Sequence, residues 1–299
     1  MPEVLHLPVS AAEAGQKLLQ FLERRLEGVP RPALMRWIRT GQVRVDGGRR
    51  KPFDRVEVGQ TVRVPPHHPG EATPDLPAPT GELDIIHEDE EIIAVAKPAG
   101  LPSHAGTGHA DSVDARLKAR FEDAIFAPAL AHRLDRDTSG LLLAAKTHTA
   151  LRRLNELFRQ GLTGKTYLAW VRGSWPHAGV TLLEDLLEKS GEPGRERVRA
   201  GSGKPALAEA APLVVGAAES LLAVRLRTGR THQIRVQLAT RGHPVVGDPK
   251  YGEPDPGGLH LHAWRLTLPG RTLLCAPPWR GARAVSREAL ALALRAFPE

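Results

Sequence analysis

Leu18, Leu19, Phe21 and Leu22 recur at helical spacing and predict a first amphipathic helix. Leu34, Trp37 and Ile38 predict a second, which Thr40-Gly41 ends. Val43 and Val45, and later Val58, Val62 and Val64, fit short strands around the turn Asp46-Gly47-Gly48. Further along, Ile92-Ile93-Ala94-Val95-Ala96 reads as a buried strand stopped by Lys97-Pro98-Ala99-Gly100. Val113, Leu117 and Phe121 are spaced for a helix that Ser112 can cap. Leu141–Ala145 is another apolar strand, and Leu151, Leu154 and Phe158 mark a helix closed by Gly161. Lys165–Val171 alternates, with Tyr167, Ala169 and Val171 on one face; Leu222, Val224 and Leu226 alternate likewise. Helical and strand patterns do not take regular turns. The pattern therefore predicts an α+β protein with a mixed, largely antiparallel sheet, flanking helices and a central cleft, not a doubly wound parallel one.

The polar gaps divide the chain. Pro65, Pro66, Pro69, Pro74, Pro77 and Pro79 resist both helix and central strand, so 65–80 reads as a semi-rigid linker. It separates a small domain over 10–64 from a large one over 81–299. There is no internal repeat.

Charge sharpens this division. The chain has 299 residues and a formal net charge of +7. Arg31, Arg36, Arg39, Arg44, Arg49, Arg50 and Lys51 crowd the second predicted helix and the strand and turn after it, against one acid, Asp46. A solvated basic face and a platform for nucleic-acid phosphates fit equally well at this point. The single cysteine, Cys275, excludes an internal disulfide and a multi-cysteine zinc site, and suits a reducing, cytoplasmic setting. No run approaches the roughly 20 apolar residues of a membrane span. The start Met1-Pro2-Glu3-Val4 lacks the pattern of a secretory signal, and nothing calls for more than a monomer.

Two segments carry candidate chemistry. In His132-Arg133-Leu134-Asp135-Arg136-Asp137-Thr138-Ser139-Gly140, a charged run meets an apolar strand, which can hold it rigidly at a cleft wall. Asp137, Thr138 and Ser139 suit a capped turn. Asp135, among Arg133, Arg136 and His132, suits an ionised nucleophile or base. In Arg227-Thr228-Gly229-Arg230-Thr231-His232-Gln233-Ile234-Arg235, a strand turns into a helix starting near Thr231, with Ile234 and Leu238 on its buried side. Arg230 stands where strand meets helix and suits an anion clamp; an ordinary arginine-rich turn fits equally well. The loop Gly242–Gly252 is rigid but uninformative alone. His260 and His262 share a strand face, yet no neighbouring carboxylate or cysteine completes a metal site. Phosphate-loop, dinucleotide and nucleophile-elbow motifs are missing.

Together these segments resemble the RluA family of RNA pseudouridine synthases. Glu88-Asp89 and Lys97-Pro98-Ala99-Gly100 resemble its opening strand and turn, and His132-Arg133-Leu134-Asp135 with Thr138-Ser139-Gly140 its catalytic motif. Lys165-Thr166-Tyr167 resembles the motif of its active-site tyrosine, Thr228–Arg235 its arginine motif, and Gly242–Gly252 and Leu261-His262-Ala263 its later landmarks. The small domain resembles an S4 RNA-binding domain, of the branch that modifies large-subunit ribosomal RNA. It departs from the usual start, with Lys17-Leu18-Leu19 lacking an acid; Ala96 also departs, where a polar residue often precedes Lys-Pro.

The resemblance implies isomerisation of uridine to pseudouridine in RNA, with no metal and no redox cofactor. Asp135 would take the place of the essential aspartate, Arg230 would pair with it, and Tyr167 would stack on the uracil and assist deprotonation. Arg133 would enter the space left by the flipped base. Arg31, Arg36, Arg39, Arg44, Arg49, Arg50 and Lys51 would contact RNA. Transfer RNA as substrate, a non-catalytic RNA-binding or ribosome-assembly role, and metal-dependent hydrolysis on the histidines are the competing readings.

Overall fold

A computed structural model describes residues 4–26, 28–67, 81–104, 111–190 and 197–298. Most of the expected linker lies outside them. The N-terminal unit runs β1 (Leu5–Pro8), α1 (Leu18–Arg25), α2 (Arg31–Thr40), β2 (Arg44–Val45) and β3 (Thr61–Val64). The strands form a three-stranded antiparallel sheet, with β3 between β1 and β2. Phe21, Leu22, Leu34, Ile38, Val62 and Val64 form its core. Two features differ from the sequence reading. Strand β1 lies ahead of residue 10, because its pairing to β3 is non-local and leaves no periodic signal in four residues. Val58 is exposed in a turn rather than in a strand.

The C-terminal unit continues with β4 (Asp84–Glu88), β5 (Ile92–Lys97), α3 (Val113–Arg120), β6 (Ala129–Leu130) and β7 (Ser139–Ala145). Helix α4 (His148–Gln160) precedes β8 (Gly164–Arg172), β9 (Thr181–Ser190), β10 (Arg197–Ala200), β11 (Lys204–Val215) and β12 (Glu219–Leu226). Helix α5 (Gln233–Ala239), β13 (Leu261–Leu268), β14 (Arg271–Leu274) and α6 (Arg287–Ala296) complete it. Ser112 caps α3 through its hydroxyl, and Gly161 ends α4 in the left-handed region, as the sequence predicts. The sheet order is β10-β9-β11-β12-β8-β13-β7-β5-β4, with β14 on β13 and β6 on β7. Period-two alternation assigns the faces. Tyr167, Ala169, Val171, Leu222 and Val224 pack with Ile234 and Leu238 of α5. From the opposite faces, Leu168, Trp170 and Ala223 meet α6, while Ile92, Leu141 and Leu143 meet α4. Strand β7 is buried along its whole length, which explains its unbroken apolar run.

Every junction in the sheet is antiparallel except β7–β13, where His262 faces Ser139 and Ala263 faces Gly140. The backbones approach closely there. Gly140 has φ 109, and a Cβ on it would lie 2.3 Å from the Ala263 carbonyl oxygen. Only glycine fits. Beside it, His262 Nε2 meets the Cys275 carbonyl at 2.9 Å, so that nitrogen carries the hydrogen. Its Nδ1 then accepts from the Ser139 hydroxyl at 2.8 Å. Burial pushes the His262 imidazole down to about 4, so it is neutral near pH 7. Both ring nitrogens of His262 are thus engaged in holding the seam. His260 meets the Gly258 carbonyl through Nδ1 at 2.9 Å. No histidine, cysteine and carboxylate cluster suited to a metal occurs among the described residues. Nor is any described helix long and apolar enough to cross a membrane.

The two units touch. His148, at the start of α4, donates its backbone N–H to the Ala12 carbonyl at 2.9 Å. The Arg24 guanidinium of α1 lies 4.4 Å from the centre of the Phe126 ring.

The seam makes a direct prediction. Gly140→Ala forces both a side chain into backbone and a strained φ, and should cost about 3 kcal/mol or more. Urea unfolding should show this as a lower midpoint with an unchanged slope. A loss under about 1 kcal/mol would mean that the seam yields, against the packing described.

Candidate active site

A cleft of about 380 Å³ opens beside the seam. It is lined by Asp135, Tyr167, His132 and Arg133, and by Lys165, Arg230, His232 and Arg235. The sheet topology brings them together. Asp135 stands just before β7, Tyr167 lies on β8, and the Arg230–Arg235 segment links β12 to α5.

The Asp135 loop is held at several points. Ser103 Oγ accepts from the Leu134 N–H at 3.0 Å and donates to the Leu134 carbonyl at 2.9 Å. Thr138 N–H bonds the Asp135 carbonyl at 3.2 Å and closes the turn. Lys97, nearly fully buried, donates to the carbonyls of Pro98, Leu101 and Arg136 at 2.8, 2.7 and 2.7 Å. Burial pulls its ammonium down to about 8, with the Asp137 and Asp135 charges opposing. It is still charged near pH 7, and its three donors match three acceptors. Lys97 thereby ties the 97–101 turn to the Asp135 turn.

The cation that holds Asp135 is not one of its sequence neighbours. Arg136 turns away and pairs with Asp137 at 2.9 Å. His132 accepts a hydrogen bond from Leu143 N–H at 3.1 Å, and burial, aided by the Lys165 charge, pushes it down to about 3. The partner is Arg235, whose Nη1 lies 3.3 Å from Asp135 Oδ2. Arg235 also forms a two-pronged pair with Asp248, with Nε and Nη2 each 2.7 Å from a carboxylate oxygen. Asp248 is wholly buried and also accepts from the N–H groups of Lys250 and Tyr251. Burial opposes the Arg235 charge, but Asp248 and Asp135 outweigh it and hold the guanidinium above its ordinary range.

The expected pairing of Arg230 with Asp135 is therefore corrected. Arg230 is exposed at the cleft, and its Nε donates to the Pro205 carbonyl at 3.0 Å. The reason lies in α5, whose residues Gln233–Leu238 are all buried. Its arginine points inward along with Ile234, Val236 and Leu238. Arg230 lies in the turn before the helix and stays near solvent. The sequence carried a usable signal: an arginine amid Ile234, Val236 and Leu238 on a short helix requires a buried acid.

Two further groups were not singled out from sequence. His232 has φ 52, one of two described non-glycine residues in the left-handed region. That conformation costs about 1–3 kcal/mol and tends to occur at functional sites. Its Nε2 lies 3.8 Å from Asp135 Oδ2, and its Nδ1 is 2.7 Å from Tyr251 Oη. Lys165, half-buried, borders the cleft beside the Phe158 ring, and burial lowers its ammonium. Tyr167 is nearly enclosed; burial and the Asp135 charge raise its phenol, which therefore stays neutral. Arg133 is exposed at the rim.

Comparison with known proteins decides the family. The RNA pseudouridylate synthase signature matches residues 91–240. The chain belongs to this family. It is 39% identical over 259 residues to ribosomal large subunit pseudouridine synthase C of Escherichia coli (strain K12), covering 84% of this chain and 81% of that protein. The Haemophilus influenzae protein of the same name is 38% identical over 257 residues, covering 83% and 79%. Among solved structures, human RNA pseudouridylate synthase domain containing 1 is 26% identical with a TM-score of 0.59, covering 74% of this chain and 98% of that one.

The corrected pairing is testable by stability. Arg235→Met should lose about 3–5 kcal/mol, because it strands the Asp248 carboxylate without a cation. Arg230→Ala should stay within about 0.5 kcal/mol. Arg235 and its hydrogen bonds hold the Asp248 carboxyl low against the opposing pull of burial. That contribution is complete above the ordinary aspartate range and fades as acid protonates the folded form. The gap between wild type and Arg235→Met in denaturant should therefore narrow towards pH 3.

Proposed function

We propose that the protein converts uridine to pseudouridine in large-subunit ribosomal RNA, with Asp135 as the catalytic carboxylate. The observation that carries the assignment is the Asp135–Arg235–Asp248 ladder inside the cleft. A guanidinium fixed by a buried second carboxylate keeps Asp135 oriented, as either attack on the sugar or removal of a sugar proton requires. The substrate class follows the named relatives, which cover about four fifths of their own length in this alignment.

Tyr167 presents a neutral aromatic group on the cleft wall and would stack on the uracil. A neutral phenol suits packing better than proton abstraction. Arg133, exposed at the rim, would fill the space vacated by the flipped nucleotide. Flipping costs a few kcal/mol, least in RNA loops. The basic N-terminal unit, read as S4-like, would offset that cost through phosphate contacts. Arg36, Arg39, Arg49, Arg50 and Lys51 are exposed and make no ion pair within the described residues, so their charges are available. Arg44 is half-buried, and Arg31 is tied to Glu23 at 2.6 Å. Arg230, released from the ion-pair role, adds a cation where a strand of RNA would enter.

Asp135→Asn should abolish pseudouridine formation in a synthetic ribosomal RNA fragment, measured by chemical mapping, while binding changes by less than about threefold, since removing one acidic group leaves the basic surface intact. Normal turnover in that variant would remove Asp135 from the mechanism. Combined Arg36→Ala, Arg39→Ala and Arg50→Ala should weaken binding and flatten the salt dependence by about one unit of slope per lost phosphate contact. An unchanged slope would take the RNA off this face.

A further inference from the structure

The isomerisation leaves one proton transfer without a residue. The N1–C1′ bond breaks and a C5–C1′ bond forms. The hydrogen on C5 must then leave as a proton, and N1 must gain one. Tyr167 is poorly suited to this, since burial among apolar groups and the Asp135 charge keep its phenol neutral. The charged form of Arg235 is likewise committed, with its donors on Asp248 and Asp135.

His232 meets the requirement. It lines the cleft beside Asp135, and its side chain is mostly but not wholly enclosed. Its strained backbone, at φ 52, directs the ring there. Tyr251 anchors the outer nitrogen: Tyr251 Oη lies 2.7 Å from His232 Nδ1 and is itself fixed by the Val198 N–H at 3.0 Å. Tyr251 is held in turn, with the Arg235 guanidinium 5.3 Å from its ring centre. A hydroxyl can donate or accept, so Tyr251 supports either neutral tautomer of His232. The inner nitrogen, Nε2, makes no hydrogen bond among the described residues, and Asp135 Oδ2 lies 3.8 Å from it.

We infer that His232 is a further catalytic residue, the base that removes the C5 proton and returns it to N1. This rests on the reading of the Asp135 cleft as the active site. In the tautomer with hydrogen on Nδ1, Nε2 has a lone pair facing the cleft. It takes the proton from C5. The C–H electron pair becomes the C5=C6 double bond, and the N1=C6 π pair moves onto N1. The imidazolium so formed is stabilised by the adjacent Asp135 carboxylate. It then passes its proton to N1, and His232 returns to neutral. No atom or electron is gained or lost overall, as an isomerisation requires. Burial, the Arg235 charge and the Lys250 charge favour the neutral resting ring, with Asp135 and Asp248 opposing.

The test uses the full-length protein and a synthetic RNA whose target uridine carries hydrogen or deuterium at C5. Asparagine tolerates the left-handed backbone, so His232→Asn removes the proton carrier without adding strain. The expected result is a fall in kcat of about 10²–10⁴-fold, the usual worth of a general base, with KM within about threefold. Turnover should also acquire a deuterium isotope effect at C5 larger than that of the wild type. His232→Gly, equally at ease with this backbone, should lose the same rate and regain part of it with added imidazole. Wild-type-like turnover, or a loss of rate with neither an isotope effect at C5 nor imidazole rescue, would overturn the inference. Asp135→Asn, assayed in parallel, separates the two claims. Activity in that variant would sink the site itself, whereas an inactive Asp135→Asn beside a fully active His232→Asn would sink only the role of His232.

Discussion

One guanidinium organises the centre of this protein. Arg235 is almost completely enclosed, and a charge in that position is tolerable only if neighbouring acids match it. Asp248 supplies two hydrogen bonds and is itself satisfied by backbone N–H groups of its own loop. The remaining guanidinium edge faces Asp135. The arrangement is asymmetric. The Asp248 end is dry and rigid, while the Asp135 end borders the cleft and remains half-accessible. A buried structural pair thus becomes a mount for one carboxylate at the cleft, Asp135. The loops carrying Asp135 and Asp248, far apart in the chain, are joined through the short helix between them in space.

Much of this was legible in the amino-acid sequence, and the reasons are local. Alternation at Tyr167, Ala169 and Val171 identified one shared face, which packs in the main core with Tyr167 at the cleft. The caps at Ser112 and Gly161 marked helix ends because capping needs only a few consecutive residues. Asp135 stood out as a charge abutting a continuous apolar strand. What the sequence left open is non-local. Arg133, Arg136 and His132 lie beside Asp135 in the chain, yet none supplies its counter-charge. Arg136 is drawn to Asp137, and His132 is neutral in its enclosed position. Arg230 stands out in the sequence for a local reason, its place where strand meets helix, whereas Arg235 gains its role from the burial of α5. Strand β1 was missed because it acquires its identity only by pairing with β3.

The basic unit and the cleft belong to one surface problem. A substrate that must surrender a base from its stack has to be gripped elsewhere, and under the proposed function the exposed arginines would provide that grip without specifying sequence. The contacts of His148 with Ala12 and of Arg24 with Phe126 place this unit against the N-terminal end of α4. The spacing between the basic unit and the cleft is then set by these contacts.

The parallel junction of β7 with β13 has a consequence for the order of events during synthesis. Ser139 and its partner His262 are 123 residues apart, and Asp135 precedes Asp248 by a comparable stretch. Contacts closing such long loops form slowly and late. The chain that has emerged through β7 already carries Asp135 and the whole basic unit, but neither the Arg235 guanidinium nor the second wall of the cleft. Nascent protein therefore presents its basic face well before the cleft exists, and the last translated quarter completes a site that the first half only begins.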